Sequence, residues 1–177
     1  ALENETFRYV ACKPNYYIAP TNKDKHGKEL WNHHKMVKRT MFNYDGVEGG
    51  KTGYTTKAGG TLVTFAKRGD QELIVVDLCA HGYELYEDTI KMLNYGFNNY
   101  KTIAPFKTMN TVLKDDTYGF LKTGNELSPY KIPLKHLNDV TVMLEKNQSA
   151  SKLTYKCKDN KYIISYDGKQ IGSVKLH

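Results

Sequence analysis

Two apolar, β-branched runs, Gly60 to Ala66 and Glu72 to Leu78, are separated only by Lys67-Arg68-Gly69-Asp70-Gln71. A parallel neighbour would need a crossover of about a dozen residues or more, so this spacing forces an antiparallel hairpin. Gly-Asp inside the connection is turn chemistry. The same turn explains Arg68-Gly69-Asp70, a cell-adhesion tripeptide in animals, without an adhesion partner. The glycine-rich stretch from Asp45 to Thr55 lies just upstream and is read as a third strand beside the hairpin. Tyr86, Ile90, Leu93 and Phe97 then recur at i, i+4, i+7 and i+11, with Gly96 close to the expected end. That is one face of a helix, and it should cover the sheet.

From Lys101 the pattern changes to short alternating segments: Thr111 to Leu113, Tyr118 to Leu121, Val140 to Leu144, Leu153 to Lys156, Tyr162 to Tyr166 and Ile171 to Leu176. They predict a small all-β domain with hairpin turns at Asp167-Gly168 and Asp115-Asp116, after a linker at Ala104-Pro105. Upstream, a short helix is expected from about Asn4 to Cys12, a turn-rich loop over Thr21 to Gly27, and a helical or extended piece from Trp31 to Met36. The fold class is α+β. Residues 1–100 form one part, and residues 101–177 a second, β-sandwich-like one.

The chain has 177 residues, a formal charge of +7 and a pI near 9.1. Such a charge is compatible with nucleic acid and equally with the anionic polymers and lipids of an envelope. Because the lysines are spread along the chain and no nucleic-acid motif is visible, a solvated surface is the expectation, with no nucleic-acid partner. Cys12, Cys79 and Cys157 fit neither a disulfide framework nor a zinc site and are read as buried free thiols. His26, His33 and His34 lack ligand spacing and are read as surface residues, with no metal. No run is long enough to span a bilayer, and no signal-like segment opens the chain at Ala1, which suggests a processed or truncated product.

Within Asp45-Gly46-Val47-Glu48-Gly49-Gly50-Lys51-Thr52-Gly53-Tyr54-Thr55, a cation and a hydroxyl stand side by side. Gly49, Gly50 and Gly53 remove side chains that would hold a ligand's backbone away. This combination suits a carboxylate-bearing peptide. Lys-Thr-Gly recurs at Lys122-Thr123-Gly124, so surroundings must separate the two copies. Around Lys51, Gly-Val-Glu-Gly precedes the motif, Tyr-Thr-Thr-Lys-Ala-Gly follows it, and Leu-Val-Thr-Phe-Ala-Lys-Arg lies beyond. This context resembles the low-molecular-weight penicillin-binding proteins, serine-type D-alanyl-D-alanine carboxypeptidases. Ile18-Ala19-Pro20-Thr21-Asn22-Lys23 and Leu30-Trp31-Asn32-His33-His34-Lys35-Met36-Val37 resemble that family's Pro-Thr-Asn and Asn-x-Asn-Lys-Leu-Leu segments. Tyr86 to Phe97 resembles its closing helix. The Gly49-Gly50 pair departs from the bulkier apolar residue the family commonly carries before the Lys.

The resemblance covers roughly residues 5 to 100. It implies that Lys51 brings positive charge to the substrate's terminal carboxylate and to a Ser-x-Asn serine. Thr52 would hydrogen-bond that carboxylate, Gly53 would let the peptide lie along the strand, and the N–H of Tyr54 would serve an oxyanion hole. The family's nucleophilic Ser-x-x-Lys and its Ser-x-Asn precede this motif, yet residues 1–127 contain no serine. Ser128-Pro129-Tyr130-Lys131 and Ser149-Ala150-Ser151-Lys152 come later, in the wrong order, and are read as turn chemistry.

The implied whole is therefore an extracytoplasmic enzyme of the bacterial envelope that trims a terminal D-alanine from peptidoglycan stem peptides and is acylated by β-lactams. It would need no cofactor, and this chain alone would be inactive. A peripheral membrane association through a further C-terminal segment is implied as well. Two alternatives stand beside it: a non-catalytic cell-wall binding or spacer module, and a serine β-lactamase-like hydrolase, which the β segments after Phe97 disfavour. Residues 1–100 present apolar faces that need a partner, so this part is expected to self-associate or to depend on further chain.

Overall fold

The computed structural model describes residues 1–38, 41–108, 118–119, 122–123, 126–127, 132–133, 140–159 and 161–175. Two compact units divide it, Ala1–Asn98 and Asn99–His177.

Helix α1 (Glu5–Cys12) opens the first unit. Asn4 caps it, its side-chain oxygen accepting the Phe7 N–H at 2.8 Å, and Glu5 places an acid in the first turn where the helix dipole favours one. The loop expected over Thr21 to Gly27 connects two strands not anticipated from the sequence, β1 (Asn15–Ile18) and β2 (Lys28–Trp31), paired antiparallel. All eight of their residues are exposed, so neither strand carries the alternation by which strands are usually recognised.

Strands β3 (Val47–Thr55), β4 (Gly59–Arg68) and β5 (Gln71–Ala80) form an antiparallel sheet in that order, as the short connections require. Gly69 takes φ +57° in the β4–β5 turn, a left-handed conformation that glycine adopts without penalty. Helix α2 (Glu84–Asn99) buries Leu85, Tyr86, Thr89, Leu93 and Phe97, close to the stripe expected. With Leu62, Ala66, Val75 and Met36 these residues make the core of the unit. Strand alternation sends Val63, Ile74, Val76 and Leu78 to the opposite face, where they stay 38–67% exposed.

In the second unit β6 (Tyr100–Ile103) follows α2 directly. The single helical turn α3 (Pro105–Thr108) comes next. Phe106 is buried with Val142, Leu144, Leu153, Tyr162 and Ile164, so the stretch read as a linker at Ala104-Pro105 belongs inside this unit. Two-residue strands β7 (Tyr118–Gly119), β8 (Lys122–Thr123), β9 (Glu126–Leu127) and β10 (Ile132–Pro133) pair β7 with β10 and β8 with β9. The expected segment Thr111 to Leu113 and the Asp115-Asp116 turn lie outside the described residues.

Strand β11 (Val142–Glu145) pairs with β6. Strands β12 (Leu153–Lys158), β13 (Lys161–Tyr166) and β14 (Lys169–Lys175) form an antiparallel meander. Asp167 and Gly168 turn β13 into β14 with φ +47° and +76°, the pair of positive values of a type I′ turn. Antiparallel sheets with few helices make the class α+β.

Candidate functional site

Lys51, Thr52, Gly53 and Tyr54 all lie on β3, whose partner is β4 alone among the described residues. Its other edge pairs with no strand among the described residues. The register sets Lys51 opposite Val63, Thr52 opposite Leu62, Gly53 opposite Thr61 and Tyr54 opposite Gly60. Lys51 and Thr52 therefore leave opposite faces of the strand, and what they share is its edge. Thr52 is half-buried on the face that α2 covers. Lys51 is exposed, and its Nζ donates to the Thr52 carbonyl oxygen at 2.6 Å. On its face a groove of about 410 Å³ is lined by Leu2, Phe7, Lys51, Val63, Phe65 and Ile74. Tyr54 is 76% exposed.

The glycines before the motif make room for the protein itself. At Gly50 a Cβ would lie 2.2 Å from the Val63 carbonyl oxygen and 2.6–2.7 Å from the imidazole of His34. At Gly49 it would lie 2.3 Å from Cζ of Phe65 and 2.9 Å from the Ala11 carbonyl oxygen. Both residues are buried, so the expectation that they clear space for a ligand is corrected: they let β3 pack down on β4, α1 and the segment that carries His34. This also accounts for the absence of a bulkier apolar residue at position 50.

His34 is the residue that sequence reasoning misplaced. His26 and His33 are exposed, but His34 is fully buried. Its N–H donates to the Asn32 side-chain oxygen at 2.9 Å, its Nε2 lies 2.8 Å from the Thr64 hydroxyl, and its ring meets Tyr86 edge-on at 5.9 Å. Burial pushes its pKa down to about 4, so the ring is neutral near pH 7. Its Nδ1 is buried without a hydrogen-bond partner among the described residues. Thr64 pairs with Gly50 in the ladder, so the imidazole braces the strand one residue before Lys51. The signal was present in the neighbours: Met36 and Val37 are apolar and both buried, so the segment turns inward.

Across the sheet, Arg8 of α1 reaches the carboxylates of Glu48 on β3 and Glu72 on β5, which holds its guanidinium charged well beyond the ordinary range. Asp77, on the face under α2, has a carboxyl pKa raised by burial and by the nearby Asp88.

Other sequence candidates fall elsewhere. Lys122 and Thr123 make up β8, and Gly124 lies outside the described residues, as does Ser128 to Lys131. Ser149 caps the short turn Ala150–Lys152 and accepts the Ser151 N–H at 3.3 Å, the turn role expected of it. Lys152 faces Asp167 at 3.8 Å rather than Ser149. The thiols of Cys12 and Cys79 are free, but Cys79 is exposed, because it sits where the β4–β5 register slips beside Gly59 and takes φ +63°. The expectation of a buried thiol fails there, and Cys12 is only half-buried.

The sequence aligns with the D-alanyl-D-alanine carboxypeptidase DacF of Bacillus subtilis at 29% identity over 154 residues, 84% of this chain and 37% of that protein. It aligns with the D-alanyl-D-alanine carboxypeptidase DacC of Escherichia coli at 35% identity over 77 residues, 43% of this chain and 18% of that protein. Its fold superposes on penicillin-binding protein 5 of Haemophilus influenzae with a TM-score of 0.58 and 22% identity, covering 96% of this chain and 49% of that one. The chain matches the C-terminal part of a low-molecular-weight penicillin-binding protein. No protein-family model matches it. It spans about a third of the length of the carboxypeptidase DacF, and about half of the solved penicillin-binding protein 5 chain. The antiparallel sheets with few helices are consistent with the C-terminal sheet domain of the penicillin-binding protein fold.

Proposed function

We propose that this chain supplies the peptide-binding strand of a serine-type D-Ala-D-Ala carboxypeptidase, which removes the terminal D-alanine from peptidoglycan stem peptides and is acylated by penicillin. The observation that carries the reading is the open edge of β3 with Lys51 on it. An extended peptide laid on that edge gains main-chain hydrogen bonds as an added strand, while Lys51 and Thr52 meet its carboxylate. The Tyr54 N–H serves as one oxyanion donor and Gly53 keeps the edge clear. Trimming of stem peptides places the work in the bacterial envelope, outside the cytoplasm. The acyl-serine is formed by a serine upstream of this sequence, since residues 1–127 hold none.

Two measurements test this. Incubated with excess penicillin and weighed by mass spectrometry, the chain alone gains no covalent adduct; a stable adduct on any of its serines overturns the account. In the full-length parent, Lys51→Ala slows acylation by a fluorescent penicillin tens- to several-hundred-fold, on the order of 2–4 kcal/mol for a lost charge-assisted contact, while Lys122→Ala leaves it unchanged. Equal losses in the two variants would place the site elsewhere.

A further inference from the structure

The net charge of the chain is concentrated in its second unit. Residues 99–177 hold 13 Lys against 7 Asp or Glu, a formal +6, whereas residues 1–98 hold 13 Lys or Arg against 12 acids, a formal +1. Strand pairing then sorts part of that charge into a line. Lys158 stands opposite Lys161, and Lys161 opposite Lys175, so three ammonium groups cross the β12-β13-β14 sheet side by side at strand spacings of about 4.8 Å. Lys156 follows on the same face two residues from Lys158. All four are exposed, and none makes an ion pair among the described residues. Asp159, in the turn between Lys158 and Lys161, is exposed and equally unpaired.

Like charges directly opposite in a sheet work against folding. This arrangement therefore gives nothing to the stability of the unit, whose core lies on the other face with Tyr162 and Ile164. It is suited to an anion outside the molecule. We propose that this face binds a linear, phosphate-bearing polymer lying across the strands along the Lys158, Lys161 and Lys175 row. The line selects a chain over a bilayer: away from the row the same face carries the uncharged Ile163 and Ser173 level with Lys156, then Thr154 and Ser165, whereas a lipid surface would reward charge over the whole face. Among the described residues no tyrosine, tryptophan or phenylalanine stands on the face to stack with bases, so phosphates are what it recognises.

Fluorescently labelled inorganic polyphosphate titrated into the full chain at several salt concentrations tests this. Binding falls steeply with salt, and the triple variant Lys158→Gln, Lys161→Gln, Lys175→Gln weakens it at least thirtyfold while lowering the slope of log affinity against log salt by roughly two. A control triple in the first unit, Lys28→Gln, Lys57→Gln, Lys67→Gln, changes affinity less than threefold, and the triple Lys→Arg variant of the row keeps it. Thermal unfolding of the Gln triple occurs no lower than that of the parent chain. Equal losses in the two Gln triples would reduce the effect to net charge and overturn the proposal. Binding to phosphatidylglycerol vesicles that polyphosphate cannot displace would do so too, by making the face a membrane surface.

Discussion

The described residues contain two three-stranded antiparallel sheets that differ in their second face. The β12-β13-β14 sheet is nearly one-sided: Tyr162 and Ile164 point into a core, and the alternate positions are lysine, threonine and serine with the single half-buried Ile163 among them. The β3-β4-β5 sheet is apolar on both sides, with Leu62, Ala66 and Val75 under α2 and Val63, Ile74, Val76 and Leu78 uncovered. A one-sided sheet is finished within its unit, whereas a two-sided one asks for another layer. The residues proposed to bind the peptide lie on the sheet that asks.

The most severe way to break the comparison is to add one carbon to each sheet. Gly50→Ala drives a Cβ to 2.2 Å from a backbone carbonyl and against the buried His34 ring, with no flexible group to give way. It is expected to cost about 3 kcal/mol or more in urea unfolding of the first unit. Gly168→Ala in the second sheet meets no atom within 4 Å and pays only for its φ of +76°, about 1 kcal/mol. Similar losses would mean that β3 is free to lift off its support.

The next effect comes from pH. His34 is held neutral with a pKa of about 4, below the roughly 6.5 of an unfolded histidine. Between those values the unfolded chain binds the extra proton, so the first unit loses stability as pH falls from about 6.5 toward 4, by roughly 2–3 kcal/mol. Asp77 acts in the opposite sense, because its raised carboxyl pKa favours the folded state as pH falls. His34→Gln separates them: unfolding free energies at pH 7 and pH 4.5 should then converge or reverse order. A wild-type chain equally stable at both values would show that the imidazole is not held neutral.

These two expectations rest on residues of unequal legibility. The β4–β5 hairpin, α2 and the last three strands could be read directly, because each has a dense apolar period and a short turn whose residues dictate its geometry. The edge position of Lys51 followed from the same pattern. The packing of Gly50 on His34 did not, because it joins residues 16 apart in a segment without periodicity. Hairpin β1–β2 escaped for a related reason: with every residue exposed, nothing in its pattern distinguishes a strand from a loop. The lysine row was hidden because Lys158, Lys161 and Lys175 become neighbours only once register is fixed.

The uncovered face gives the third test. With Ile74 and Val76 59% and 53% exposed, the chain at high concentration should associate through this face. The double variant Ile74→Thr, Val76→Thr keeps strand propensity while removing apolar area. It is expected to weaken self-association, followed by analytical ultracentrifugation, about tenfold or more, with the core under α2 intact. Association unchanged by that variant, but lost on changing the exposed Tyr16 and Trp31 of the β1–β2 hairpin, would transfer the sticky surface to the hairpin.

The smallest effect asks whether the second sheet is as self-sufficient as its alternation implies. Lys161 sits between two lysines, so Lys161→Glu converts two repulsive cross-strand pairs into two attractive ones. Exposed pairs of this kind are worth a few tenths of a kcal/mol each, so the unit should gain about 0.5–1 kcal/mol at low salt. The gain should shrink toward zero near 1 M salt, where the screening length falls to about 3 Å. Amide exchange at Tyr162 and Ile164 reads the change inside this unit, apart from the first. A sheet whose stability rests on its own buried face responds in this graded, salt-sensitive way. If Lys161→Glu instead destabilised the unit at every salt concentration, the lysine would be packing against something within the fold, and the sheet would not be the one-sided, finished layer that distinguishes it from β3-β4-β5.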